Sequence, residues 1–159
     1  VNNFTIKLFE KGEKATFYTI HYVDKVYSET DKFFEQYEAT HVKDIDAILQ
    51  ILNRMLTKRG TEYSEFRPEG KNYIVALPRG QYELRLYGIW VNGQITVLGN
   101  GGIKNTRTFQ EDTVLNKIVQ DLNTINKLLT ERISNQEVLL VNNELVGNLT
   151  FNLNDTEDE

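Results

Sequence analysis

The sequence predicts an α+β domain with a mostly antiparallel sheet and helices packed on it, and three observations carry that prediction. Alternating apolar and polar runs occur in pairs joined by turn residues, long stretches place apolar residues at helical spacing, and the elements follow the order β-β-α-α-β-β-β-α-β-β. At 159 residues the chain is read as one domain over 1–153 with an acidic flexible tail over 154–159, long enough to bury a core without metal or disulfide.

Near the N-terminus "FTIKLF", a turn at "EKGEKA" and "TFYTIHYV" form a β-hairpin in which Phe17, Thr19 and His21 share one face and Tyr18, Ile20 and Tyr22 the other. His21 reads as a strand residue at the sheet surface. "SETDKFFEQYEA" opens on capping candidates, with Asp31 three residues after Ser28, and spaces Phe33, Phe34 and Tyr37 as a short helix does. The next helix carries Val42, Ile45, Ile48, Leu49 and Leu52 as its apolar stripe. Early Asp44 and Asp46, late Lys58 and Arg59, and Gly60 as its stop match the helix macrodipole and a glycine cap. Both helices are expected on one face of the sheet.

"TEYSEFRPEGKN" has no periodicity and reads as a loop. "YIVALP" is a short apolar strand, and "YELRLYGIWV" alternates so that Leu84, Leu86 and Trp90 oppose Arg85, Tyr87 and Ile89. Asn92-Gly93 predicts a type I′ hairpin turn into "QITVLGN". "EDTVLNKIVQDLNTINKLLTERI" repeats apolar residues at helical spacing, and "EVLLV" with "ELVGNLTFNL" predicts a C-terminal hairpin.

Composition excludes several classes. The chain has no cysteine and only two histidines, so no thiolate metal site, disulfide or cofactor-bearing cluster is expected. No basic segment followed by an apolar run appears, so neither a membrane span nor a signal peptide is expected, and cytoplasmic residence is the expectation. The formal charge of -5 argues against a uniformly nucleic-acid-binding surface. Its distribution is uneven, however: nine basic and only four acidic residues lie between Arg54 and Arg107. That segment permits an anion site.

"LGNGGIKNTRTFQED", from Leu98 to Asp112, concentrates Gly99, Gly101 and Gly102 before Lys104 and Arg107. Neither GxxxxGK[ST] nor GxGxxG is present, which excludes the familiar nucleotide loops. Two readings remain: glycines supplying positive φ in a strand-to-helix joint, or backbone amides brought near an anion.

Two helices, a meander containing "ELRLYGIWVNGQITVLGNGGIKNTRTFQED" and a following helix resemble the RelE/ParE toxin superfamily, especially its HigB-like branch with similar phage-encoded proteins. The features that carry the likeness are Glu83, Leu84 and Arg85, the strand Ile95 to Leu98, and Gly102, Lys104, Thr106 and Thr108, within roughly residues 30 to 130. The resemblance implies a RelE-like core with additional N- and C-terminal hairpins, and a toxin-like, metal-independent endoribonuclease or translation inhibitor restrained by an antitoxin. It further implies attack of an RNA 2′-hydroxyl on the adjacent phosphate. Arg85 would stabilise the phosphate, Lys104 or Arg107 would assist the base or leaving-group step, and Tyr87 would stack or exchange a proton. Arg67, Lys71 and Arg79 are candidate RNA contacts. The alternative is a non-catalytic binding module, of phage or mobile-element origin, that keeps the fold and recognises a protein or an anion. Arg85 paired to an acid and Tyr87 in the core would accord with that alternative. Convergence of Arg85, Tyr87, Lys104 and Arg107 on one open groove, uncovered by the C-terminal hairpin, is what the enzyme requires.

Overall fold

The computed structural model describes residues 3–156. Its strands are β1 (Asn3–Lys11), β2 (Thr16–Tyr22), β3 (Arg67–Pro68), β4 (Ile74–Leu77), β5 (Leu84–Asn92), β6 (Ile95–Ile103), β7 (Val138–Val141), β8 (Glu144–Gly147) and β9 (Thr150–Asn152), and its α-helices are α1 (Glu29–Tyr37), α2 (Val42–Arg54) and α3 (Thr113–Ser134). Seven strands form one sheet in the order β3-β4-β5-β6-β2-β1-β9, and β7 and β8 form a separate hairpin. Every neighbouring pair in the large sheet is antiparallel except β2 and β6, where Thr16–Thr19 run alongside Ile95–Leu98 in parallel. The α+β class and the mostly antiparallel sheet therefore stand.

The period-two pattern of the strands divides the core between two faces. On one, Phe17, Leu77, Leu84, Leu86 and Leu98 pack against Phe33 of α1 and Ile45, Ile48 and Leu52 of α2. On the other, Tyr18, Ile20, Tyr87, Ile89 and Val97 pack beneath Leu115, Val119, Leu122, Ile125 and Leu129 of α3. Ser28 caps α1, its Oγ accepting from the Asp31 amide at 3.1 Å. The last turn of α2 widens into a π-turn over Met55–Arg59 and stops at Gly60, whose φ of 74° suits a residue without Cβ. Asp112 caps α3 by accepting from the amides of Val114 and Leu115. His21 lies partly exposed on β2, its Nε2 donating to the carbonyl of Lys25.

Four expectations are corrected. The glycines are not a loop: β6 runs through Gly99, Gly101 and Gly102, none of which has positive φ. They are required by close approach. Residues 99 and 100 together oppose Tyr87, a β-bulge, and just past it a Cβ on Gly101 would run into the carbonyl oxygen of Arg85. Cβ atoms on Gly99 and Gly102 would stand 3.1 and 3.2 Å from the methyl groups of Leu122 and Leu115, so their absence lets α3 settle onto the strand.

The turn at Asn92-Gly93 is not type I′, because neither residue has positive φ. Asn92 Oδ1 accepts from the amides of Gln94 and Ile95 instead, so the side chain closes the turn. The segment 61–72 contains β3, a two-residue strand on β4 that local periodicity is too short to reveal. Finally, the C-terminal stretch divides: β7 and β8 pair with each other, while β9 crosses to β1, pairing Asn3 with Asn152 and Phe4 with Phe151. Of the expected tail over 154–159, Asn154–Thr156 continue a 3-10 turn that begins at Leu153, and residues 157–159 lie outside the described residues.

Candidate functional site

The face of the sheet beneath α3 becomes polar at one end. Arg67 of β3 pairs across to Ala76 of β4, which pairs to Tyr87 of β5, so the three stand in one row on the same face. Ala76 has the smallest side chain of that row and is itself buried. Glu69 enters beside this row, held by its amide on the carbonyl of Ile74, and Arg85 lies two residues before Tyr87. Lys104 follows β6 and is positioned by its amide bond to the carbonyl of Glu83, 2.8 Å. Arg67, Glu69, Arg85, Tyr87 and Lys104 thus share one electrostatic neighbourhood.

Burial decides the character of this cluster. Arg85 is 5% exposed, and its Nη1 donates to the carbonyls of Tyr82 and Leu84 at 2.7 and 3.0 Å, with Nη2 reaching that of Gly80 at 3.5 Å. Tyr87 has no exposure at all. Glu69 is 5% exposed and its Oε1 lies 3.2 Å from Nε of Arg67, near enough for an ion pair but misaligned for a hydrogen bond. Among the described residues, Glu69 Oε1, Arg85 Nε and the Tyr87 hydroxyl have no hydrogen-bond partner.

Desolvation dominates the protonation equilibria here. Burial pushes the Glu69 carboxyl up despite the opposing pull of Lys104, Arg67 and Arg85. Burial, with Arg67 nearby, pushes Arg85 and Lys104 down. The Tyr87 phenol is raised, chiefly by burial and then by Glu69, and stays protonated through the neutral range. Titratable groups perturbed together in one place mark a candidate site.

The remaining candidates lie on other segments of the chain. Arg107 is exposed on the segment between β6 and α3, and Lys71 is exposed on the segment between β3 and β4. These two segments touch: a Cβ on Gly70 would lie 3.3 Å from the ring of buried Phe109. Neither Lys71 nor Arg107 makes an ion pair among the described residues. Arg79 stands apart from them in its bonding, donating to the carbonyls of Ser64 and Phe66. The described polar side-chain contacts of the C-terminal hairpin are made away from the cluster. The hairpin is tied to β1 and β2 by Lys11 to Glu144, 2.8 Å, and by the Tyr18 hydroxyl accepting from the Leu145 amide.

Arg85, Tyr87 and Lys104 are brought together, then, but in a closed polar core with Arg67 and Lys104 at its edge and Arg107 outside. Glu69 is the member that sequence reasoning missed. It sits in an aperiodic segment, and only the pairing of β3 with β4 carries it inward. Comparison with protein-family models, curated proteins and solved structures gave no match. No described helix is long and apolar enough to cross a membrane, and no group of three or more histidine or acidic residues among the described residues is placed to hold a metal.

The unpartnered Tyr87 hydroxyl supplies a direct test of its role. Tyr87→Phe removes a buried polar group whose desolvation is not offset, so stability is expected to rise by about 1 kcal/mol. Thermal unfolding should shift upward by roughly 2–4 °C for a chain of this length. A fall of that size would show instead that the hydroxyl is engaged.

Proposed function

We propose that this chain is a non-catalytic binding module with a RelE-like arrangement of elements, and that it engages single-stranded RNA through a basic rim formed by Arg67, Lys71, Lys104 and Arg107. The observation that carries this reading is a division of labour among the basic residues. Arg85 is buried on backbone carbonyls, whereas Lys71 and Arg107 are exposed on two touching segments, and Arg67 and Lys104 are partly exposed beside Glu69 and Arg85. Glu69 is the buried counter-charge, and Asp112 is engaged as the cap of α3, so neither presents its charge freely at the rim. Phosphates meeting such a rim displace counterions, which gives affinity with little dependence on base.

One specific observation favours the second reading, a metal-independent endoribonuclease or translation inhibitor restrained by an antitoxin. Lys104, with its proton loosened by burial, lies in the same neighbourhood as Arg85 and Tyr87. A lowered lysine pKa is what proton transfer near neutrality requires.

Fluorescence anisotropy with a labelled single-stranded RNA, recorded across a salt series, tests the first reading, with the same RNA then analysed on a gel. The binding module should bind with strong salt dependence and leave the RNA intact. Replacing all four rim residues by alanine should reduce the slope of log K against log salt by up to about 3, at roughly 0.7 per phosphate contact. Absence of rim-dependent binding overturns the module. RNA cleavage with growth arrest, both abolished by Lys104→Ala, overturns it in favour of the endoribonuclease.

A further inference from the structure

The hairpin of β7 and β8 carries an exposed apolar surface that RNA binding does not use. Leu139, Leu140 and Val141 are 49, 45 and 43% exposed, and Val146, opposite Leu139, is 50% exposed. A strand with one buried face normally hides every second residue, yet here three aliphatic residues in succession meet water. Only Val138 and Leu145 anchor the hairpin in the core beneath α3.

Backbone geometry determines which edge of the hairpin is open. Asn142 and Asn143 have φ of 51° and 63°, as a two-residue type I′ turn requires, so Val141 and Glu144 exchange hydrogen bonds and the ladder alternates from there. Leu139 and Val146 therefore turn their backbone groups into the hairpin, and Leu140 and Leu145 turn theirs outward. On the β8 side, the Leu145 amide donates to the buried Tyr18 hydroxyl at 2.8 Å, and Lys11 donates to Glu144 and to the carbonyl of Asn142. That edge is closed. On the other side β7 has no strand neighbour, and the N–H and C=O of Leu140 have no hydrogen-bond partner among the described residues. Strand edges left in water usually carry a lysine, a proline or a bulge, whereas β7 reads Val-Leu-Leu-Val.

We infer that β7 pairs antiparallel with β7 of a second copy of this chain about a two-fold axis, joining the two hairpins into one sheet. The occupant must be an extended strand, because the unsatisfied groups are a backbone donor and acceptor on one residue. A second copy fits because Val-Leu-Leu-Val is unchanged when read in reverse. Burial selects the register. Pairing centred on Leu139 would need the outward groups of Val138, which has no exposure, so the axis passes beside Leu140, whose N–H and C=O bond those of its copy. Leu139 then stands beside Val141 of the second copy, and Glu137 falls opposite Asn143 instead of another glutamate. No charged residue lies between Val138 and Asn143, so the axis brings no like charges together there.

The test is analytical ultracentrifugation of the full chain from about 1 μM to about 1 mM, the range in which a small interface associates. The mass should rise from 18.5 kDa toward twice that value. Over the same range, hydrogen exchange at the Leu140 amide should slow by about tenfold, while that at Leu139, already bonded within the hairpin, changes less. Leu140→Pro removes the outward donor at a place the hairpin does not need it, and Leu139→Lys sets a charge beside the apolar neighbour; both should stay monomeric with unchanged circular dichroism. A mass that stays at 18.5 kDa overturns the proposal, as does a dimer that either variant, still folded, forms as readily as wild type. A dimer in which Leu140 exchange ignores concentration overturns it too. Replacing the four rim residues by alanine should leave dimerisation intact, which separates this outcome from that of the RNA reading.

Discussion

Arg85→Ala is expected to lower stability by about 3 kcal/mol or more. The guanidinium donates to the carbonyls of Tyr82 and Leu84 and reaches toward that of Gly80, so one side chain organises the whole approach to β5. Hydrogen bonds to a charged group contribute roughly 1.5–3 kcal/mol each, and the bond to Leu84 is buried, where water cannot replace the donor. Removing the cation also leaves Glu69 with less compensation for its burial. Thermal unfolding should fall by roughly 6–12 °C, taking about 2–4 °C per kcal/mol for a domain of this size. Arg85→Lys should recover only part of the loss, because an ammonium lacks the planar fork that spans several carbonyls. A well-folded Arg85→Ala protein with an unchanged melting temperature would assign Arg85 to chemistry instead of architecture.

Gly101→Ala is expected to be comparably severe for a different reason. Its Cβ would meet the carbonyl oxygen of Arg85, with the carbonyl carbon at 2.8 Å and Leu86 Cα at 3.0 Å, all of them backbone of the paired strand. No rotamer change relieves a clash with backbone, so β5 and β6 must part where they flank the Tyr87 bulge. A loss of about 3 kcal/mol, at the upper end of overpacking costs, is anticipated in chemical denaturation. Gly93→Ala is the matched control: its Cβ would meet nothing within 4 Å, and its φ is not positive. Equal effects at the two positions would remove the strand-approach explanation for the glycines.

These two residues show where the sequence was legible and where it was not. The alternation of β5 correctly sends Arg85 and Tyr87 to the face opposite Leu84 and Leu86, because strand periodicity is local. The apolar stripe of α3 is equally plain at Leu115, Leu122, Ile125, Leu128 and Leu129, all buried, but Val114, which the same spacing includes, is exposed and Val119 is buried instead. How deeply a residue lies depends on what the rest of the chain lays over it. Tyr87 is covered because α3 returns across the sheet, and Glu69 is buried through the pairing of β3 with β4. No window of local sequence contains either fact. The glycines were misread because turn chemistry and close strand approach select the same residue. Asn92-Gly93 was misread because an asparagine side chain can close a turn that positive φ would otherwise make.

The pairing of Asn3 with Asn152 places the two described ends of the chain on adjacent strands, joined by a side-chain hydrogen bond of 2.8 Å. They occupy the edge formed by β1 and β9, while β3, which carries Arg67, occupies the opposite edge of the seven-stranded sheet. At about 4.8 Å between neighbouring strands, the two margins lie roughly 29 Å apart. A fluorophore or surface tether introduced beside Asn3 or Asn152 therefore sits at one margin of the sheet and keeps clear of Arg67 at the other.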